Sequence, residues 1–178
     1  MPMTAFPADT PAADEFPLGA RAYLFYLVFQ ISQQRQAALE ADLAPLGLNF
    51  AKWRSLMFIA RLGRCSMKTL ARLSGVHRTT LTRSIDRMVE EGLVRRSSLA
   101  TDRRHVMLSL TGAGKAAFEA AHLVQEQFTE HVLQDIPDTA QRDLCRRLSL
   151  VLKGMIPEPN LAEDILAFDA RSPEQANG

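Results

Sequence analysis

The stretch "SMKTLARLSGVHRTTLTRSIDRM", residues 66–88, does most to narrow what this chain can become. Two helical patterns are separated by one glycine, with no room between them for a sheet crossover or a long loop. Ser66 is placed to cap the first helix, Met67 to Leu73, and Gly75 supplies the left-handed turn that stops it. In the second helix, Leu81, Ile85, Met88 and Val89 fall within an arc of about 100°, while Thr79, Arg83, Asp86 and Arg87 point the other way. That outward row is unusual. A solvated helix face is normally filled with Glu and Lys, which suit a helix and pair at i,i+4. Here Thr79, Thr80, Thr82, Arg83 and Arg87 are accompanied by no acid but Asp86 until Glu90. Threonines lower helix propensity, so the segment must be held by packing, and its exposed face must serve something other than water.

Beyond the second helix, "LVRRS" and "HVMLSL" are two β-type runs separated by "SLATDRR", and Val106, Leu108 and Leu110 alternate as in a half-buried strand. The pair predicts a hairpin whose tip carries Arg103 and Arg104. The net charge of +1 conceals a segregation: from Arg64 to Arg104 there are ten basic residues against four acids, a local +6 that leaves the rest at −5. One face is thereby suited to a polyanion. Short helix, glycine turn, second helix and basic hairpin is the order of a winged helix-turn-helix. A helix fits the major groove, Thr hydroxyls can bond phosphates or base edges, Arg can bind guanine in two places, and arginine is drawn to a narrow minor groove.

The flanks predict helices of another kind. Residues 1–17 hold Pro2, Pro7, Pro11 and Pro17 among small and polar residues, an arm without a fold of its own. A helix is expected over about 18–43, closed by Pro45; its "AYLFYLVF" is apolar nearly all round, as in a helix buried on more than one side by its own domain and a second subunit. Asn49 is placed to cap a helix bearing Trp53, Leu56, Met57 and Ala60, ended by Gly63. Thr111 should cap a long helix with Phe118, Ala121, Phe128 and Val132 on one stripe, and Asp138 a last one with Leu144, Leu148, Val151, Leu152 and Met155. The tail 157–178 contains one short apolar run, "LAEDILAF". The expected fold is mainly α with a small β-hairpin wing: a winged domain over about 49–111 and interleaved dimerisation helices over about 18–44 and 112–156, together a unit of residues 18–156.

Other classes find little support. Two cysteines far apart make no disulfide framework, and no apolar run approaches the roughly 20 residues of a membrane helix. The N-terminal residues lack the pattern of a secretion signal, so a cytoplasmic setting is expected, without membrane contact. His77, His105, His122 and His131 have no phosphate loop, nucleophile elbow or carboxylate pair beside them, so no enzyme, no cofactor and no metal is expected.

From Ser66 to Ala117 the chain resembles the MarR family of transcriptional regulators. Thr82, Arg83, Asp86, Gly92, Leu93, Val94 and Arg96 sit at the family's motif positions, and Asp102, Arg104, Leu110, Thr111 and Gly114 match its wing signature. The resemblance implies a homodimer on double-stranded DNA at a near-palindromic operator, with recognition helices in successive major grooves about 34 Å apart. It further implies that Arg78, Thr79, Thr80, Thr82, Arg83 and Arg87 contact bases and phosphates, that Arg104 enters the minor groove with Asp102 bracing the wing, and that Ser66 and Thr69 touch the backbone. His77 stands where the family more usually has Ser, as a cap or a contact. The implied effector is a small aromatic acid or its CoA thioester, which would release a repressor; Tyr23, Tyr26, Phe29, Trp53, Arg54 and Met57 are the candidate pocket, although the aromatics among them are more simply read as core and dimer interface. Three alternatives stay open: a redox-responsive regulator using Cys65 or Cys145, a metal-responsive one using His122, Glu126 and Glu130 at i, i+4, i+8 beside His131, and a weakly specific nucleoid-type protein.

Overall fold

In a computed structural model, residues 19–99 and 102–168 are described, the side chains of 98–99 and 102–105 excepted. The arm 1–17 and the end of the tail lie outside them. The chain divides into two compact units, Met1–Ala38 and Leu39–Gly178. The elements are α1 (Ala20–Leu43), a 3-10 turn (Ala44–Leu46), α2 (Phe50–Leu62), β1 (Cys65–Ser66), α3 (Met67–Ser74), α4 (Arg78–Glu90), β2 (Val94–Leu99), β3 (Asp102–Leu110), α5 (Gly112–Leu133), α6 (Asp138–Met155) and α7 (Pro159–Leu166).

Local chemistry accounts for most of these boundaries. Asn49 Oδ1 accepts the Lys52 N–H at 2.8 Å, Ser66 Oγ that of Thr69 at 3.1 Å and Thr111 Oγ1 that of Gly114 at 3.0 Å, so each expected cap satisfies an orphan donor of its helix. Gly75 takes φ 64, the left-handed conformation that ends α3 without a Cβ clash. Asp138 departs from expectation. Pro137, extended at ψ 143, holds the cap position, and its carbonyl accepts from Gln141. Asp138 becomes the first helical residue instead, where its charge still suits the positive end of the helix.

The hairpin is longer than its two runs suggest, reaching Leu99 and Asp102 with a register slip between Ser98 and Leu99. It also gains a strand. Cys65 and Ser66 pair antiparallel with Leu108 and Met107, giving the order β1-β3-β2. On the inner face Leu108 is fully buried; Val106, on the same face, is exposed toward the tip. The core of the larger unit is Leu39, Leu43, Trp53, Leu56, Ile59, Leu70, Leu81, Ile85, Met88, Val94 and Leu108, all essentially removed from water.

The expectation for α1 needs correction. Leu24, Phe25, Tyr26, Leu27, Val28, Phe29 and Ile31 are all between 37% and 63% exposed, and burial within the chain begins only at Leu39. On α6, no residue is buried, and Leu144, Leu150 and Met155 are among its exposed apolar side chains. Among the described residues, no helix is long and apolar enough to cross a membrane.

Candidate nucleic-acid interface

The rear of α4 is anchored by Leu81, Ile85 and Met88, at most 2% exposed. Its front presents Arg78, Thr79, Thr80, Arg83 and Arg87 to solvent, as the periodicity predicts. Thr82 is half-buried, and its hydroxyl donates to the Arg78 carbonyl at 2.8 Å, so toward a ligand it offers lone pairs and no proton. His77 takes the cap position: its Nδ1 accepts the Thr79 N–H at 3.4 Å. Ser66 and Thr69 join their hydroxyls at 3.0 Å beside the first turn of α3.

Asp86 pairs outside its own helix, although Arg83 and Arg87 are near it in sequence. It accepts from Arg96 Nη2 at 2.5 Å, a bond from α4 to strand β2. Lys52 Nζ meets Glu91 Oε1 at 2.7 Å and ties the start of α2 to the end of α4. The base of the wing is joined to α5 by Thr111, whose hydroxyl donates to the Gly92 carbonyl at 2.6 Å while accepting from Gly114. Gly114 is obligatory in that joint. A Cβ on it would stand 2.9 Å from the Leu93 carbonyl carbon and closer still to the oxygen. The wing-signature residues Thr111 and Gly114 therefore have a packing reason to be what they are.

Two cations were not singled out by sequence reasoning. On the outer face of the sheet, Arg64 Nη2 donates to Ser97 Oγ at 3.2 Å and Arg95 Nε to Ser109 Oγ at 2.9 Å. Only strand register reveals that these residues share a face. The side chains of Asp102, Arg103 and Arg104, assigned to the wing tip, lie outside the described residues.

The effector candidates fall in both units. In the first, the Tyr23 and Tyr26 rings stack at 5.9 Å, and Phe29 is exposed. In the second, Trp53 is buried with its ring 5.4 Å from that of Phe50, and Met57 is half-buried. Arg54 lies 5.9 Å over the Phe50 ring, and burial lowers its pKa from the usual arginine value. Phe50 is thus a neighbour that spacing alone did not select.

Cys65 is buried, and desolvation pushes its pKa up to about 11. His122 stacks on Phe118 and reaches Glu126 at 3.3 Å. Among the described residues, no three of His, Cys, Asp and Glu come together as metal ligands.

A short helix, a left-handed glycine, a second helix with an apolar rear and cationic front, and a three-stranded sheet ending in a hairpin define a winged helix-turn-helix protein. Residues 46–105 match the family model described as MarR family. The chain is 35% identical to the HTH-type transcriptional repressor YetL of Bacillus subtilis over 54% of its own length and 59% of that protein's. It is 30% identical to the regulator YwoH of the same organism, over 64% of this chain and 84% of the relative. Among solved structures, MarR from Escherichia coli in complex with operator DNA superposes with a TM-score of 0.66 at 28% identity, covering 72% of this chain and 93% of that one. The chain belongs to the MarR family of transcriptional regulators.

Proposed function

We propose that this regulator is a cytoplasmic homodimeric repressor that reads a near-palindromic operator with α4 and is released by a small aromatic acid or its CoA thioester. The observation that carries the DNA reading is the division of α4 between a buried rear and a front of Arg78, Thr79, Thr80, Arg83 and Arg87, with Asp86 drawn aside by Arg96. The front can then meet phosphates and guanine edges without a carboxylate in its middle. Ser66, Thr69 and His77, at the starts of α3 and α4, and Arg103 and Arg104 of the wing would extend that surface, as the family resemblance implies. Dimerisation through residues 18–44 and 112–156 is supported by the apolar side chains left exposed on α1 and α6. E. coli MarR, which shares the fold, is seen on operator DNA.

The test is a titration of a duplex selected from random DNA, with competitor. Arg83→Ala should weaken the selected duplex more than bulk DNA; Arg104→Ala should weaken both and flatten the salt dependence. A specificity ratio below about a hundred would favour the nucleoid-type reading.

For the effector, the supporting observation is Arg54, a partly desolvated guanidinium beside an aromatic ring, able to hold a carboxylate. Bound effector would favour a dimer whose helix spacing mismatches the operator. An aromatic acid that raises the melting midpoint of the wild type but not of Arg54→Met would support this; a shift equal in both would refute Arg54 as the anchor. The buried Cys65 thiol, its pKa raised, gives a redox role for that residue little support, whereas Cys145 is exposed.

A further inference from the structure

The tail segment "LAEDILAF" belongs neither to the DNA-reading surface nor to the candidate effector pocket, yet its helix makes pointed contacts with the winged domain. Pro159 opens α7, and the Glu158 carbonyl receives the Leu161 and Ala162 N–H groups at 3.0 and 3.2 Å. Ala162 is 4% exposed, Ile165 and Phe168 pack against the core, and the Phe168 ring lies 4.6 Å from that of Phe58 on α2. The Asp164 carboxylate is ion-paired with the Arg72 guanidinium in the last turn of α3. Between α6 and α7 there are only Ile156, Pro157 and Glu158, and α7 packs against both α3 and α6.

We propose that α7 is a positioning helix for the DNA-reading head, with Asp164 and Phe168 as the positioning residues. The inference rests on the proposed reading of DNA by a dimer. A connection of three residues containing one proline leaves α7 little freedom from α6. Its far face grips α3 and α2. In turn, α3 and α4 share one core through Leu70, Leu73, Leu81 and Ile85, so a displacement of α3 carries the recognition helix with it. The ion pair is partly exposed and contributes little energy of its own. Its role is register, while the apolar contacts of Ala162, Ile165 and Phe168 supply the adhesion. In a dimer built on α6, this strut sets how far apart the two recognition helices stand, and hence which half-site spacing is accepted.

The test uses the full chain and a duplex enriched from random DNA, compared with the same duplex carrying one extra base pair between its half-sites. Asp164→Arg, which sets two like charges together, and Phe168→Ala should each reduce discrimination between the two duplexes, by about fivefold or more, with affinity for bulk DNA unchanged. Arg72→Asp combined with Asp164→Arg should restore it, which a merely destabilised fold would not do. A spacing preference equal in wild type, Asp164→Arg and Phe168→Ala would overturn the proposal and leave the DNA reading intact. Failure of the wild type to enrich any duplex would instead overturn the DNA reading on which it stands.

Discussion

Gly114→Ala sets two effects of opposite sign against each other at the joint between wing and α5. Helix propensity favours Ala over Gly by about 1 kcal/mol in a helix interior. Against it, the new methyl would lie 2.9 Å from the carbonyl carbon and 3.3 Å from the Cα of Leu93, with the carbonyl oxygen nearer than either. The obstruction is backbone, and it is fixed: the Leu93 N–H donates to Met88 and the Leu93 carbonyl accepts the Thr111 N–H. The helix must therefore withdraw by roughly an ångström, at an overpacking cost of about 1–3 kcal/mol. Withdrawal also strains the Thr111 cap, a contribution of about 1 kcal/mol. The balance is a loss of about 2 kcal/mol, or a fall of about 4–8 °C in melting midpoint for a chain of this size. Gly112→Ala is the control, since a Cβ there meets nothing within 4 Å; it should leave the midpoint unchanged or raise it. Calorimetry or urea unfolding of the two variants decides the matter. A midpoint for Gly114→Ala at or above wild type would refute this reasoning, because propensity would then have outweighed the clash.

Thr111→Ala removes the hydroxyl that bridges Gly92 and Gly114 and should cost about 1 kcal/mol in urea unfolding, whereas Thr111→Ser should recover most of it. Asp86→Asn weakens the link to Arg96; stability should change by less than about 1 kcal/mol, while the ratio of specific to bulk DNA binding falls, and an unchanged ratio would show that the link does not orient α4. Cys65 retains its proton in the folded state to about pH 11, while the unfolded thiol releases it near 9.0. Stability is therefore lost as pH rises through that window, and Cys65→Ala should lessen the loss in unfolding experiments across it. At pH 8 the folded chain should protect Cys65 from a thiol reagent, and rapid labelling there would contradict its burial.

The parts legible in the sequence are those decided within a few residues. Asn49, Ser66 and Thr111 announce their helices because a cap bonds two or three positions on, and Gly75 because only a left-handed residue ends α3 there. The outward row of α4 follows from a 3.6-residue period, and so was readable too. The features that escaped depend on partners distant in sequence. Two residues are too few to show a period, so Cys65–Ser66 becomes a strand only because β3 offers an edge. Asp86 has arginines three and one positions away yet binds Arg96 across the wing, a choice made by the tertiary fold. The docking of α7 joins residues 92 positions apart. The apolar run of α1 predicts burial, yet the chain's own described residues leave Leu24 to Ile31 exposed, because a one-dimensional pattern does not say which surface is to cover it.

The caps also differ in a way that bears on the proposed reading of DNA by α4. Asn49, Ser66 and Thr111 hold their N–H groups at 2.8, 3.1 and 3.0 Å, whereas the His77 ring nitrogen holds that of Thr79 at 3.4 Å. The middle and end of α4 are also fastened by Asp86 and Glu91, whereas the turn bearing Arg78, Thr79 and Thr80 begins on this longer bond. If α4 meets a groove as proposed, a first turn held by a long cap bond can shift against it at less cost than the fastened remainder. On that reading, the leading edge would adapt to imperfect sites while the body of the helix keeps its aim.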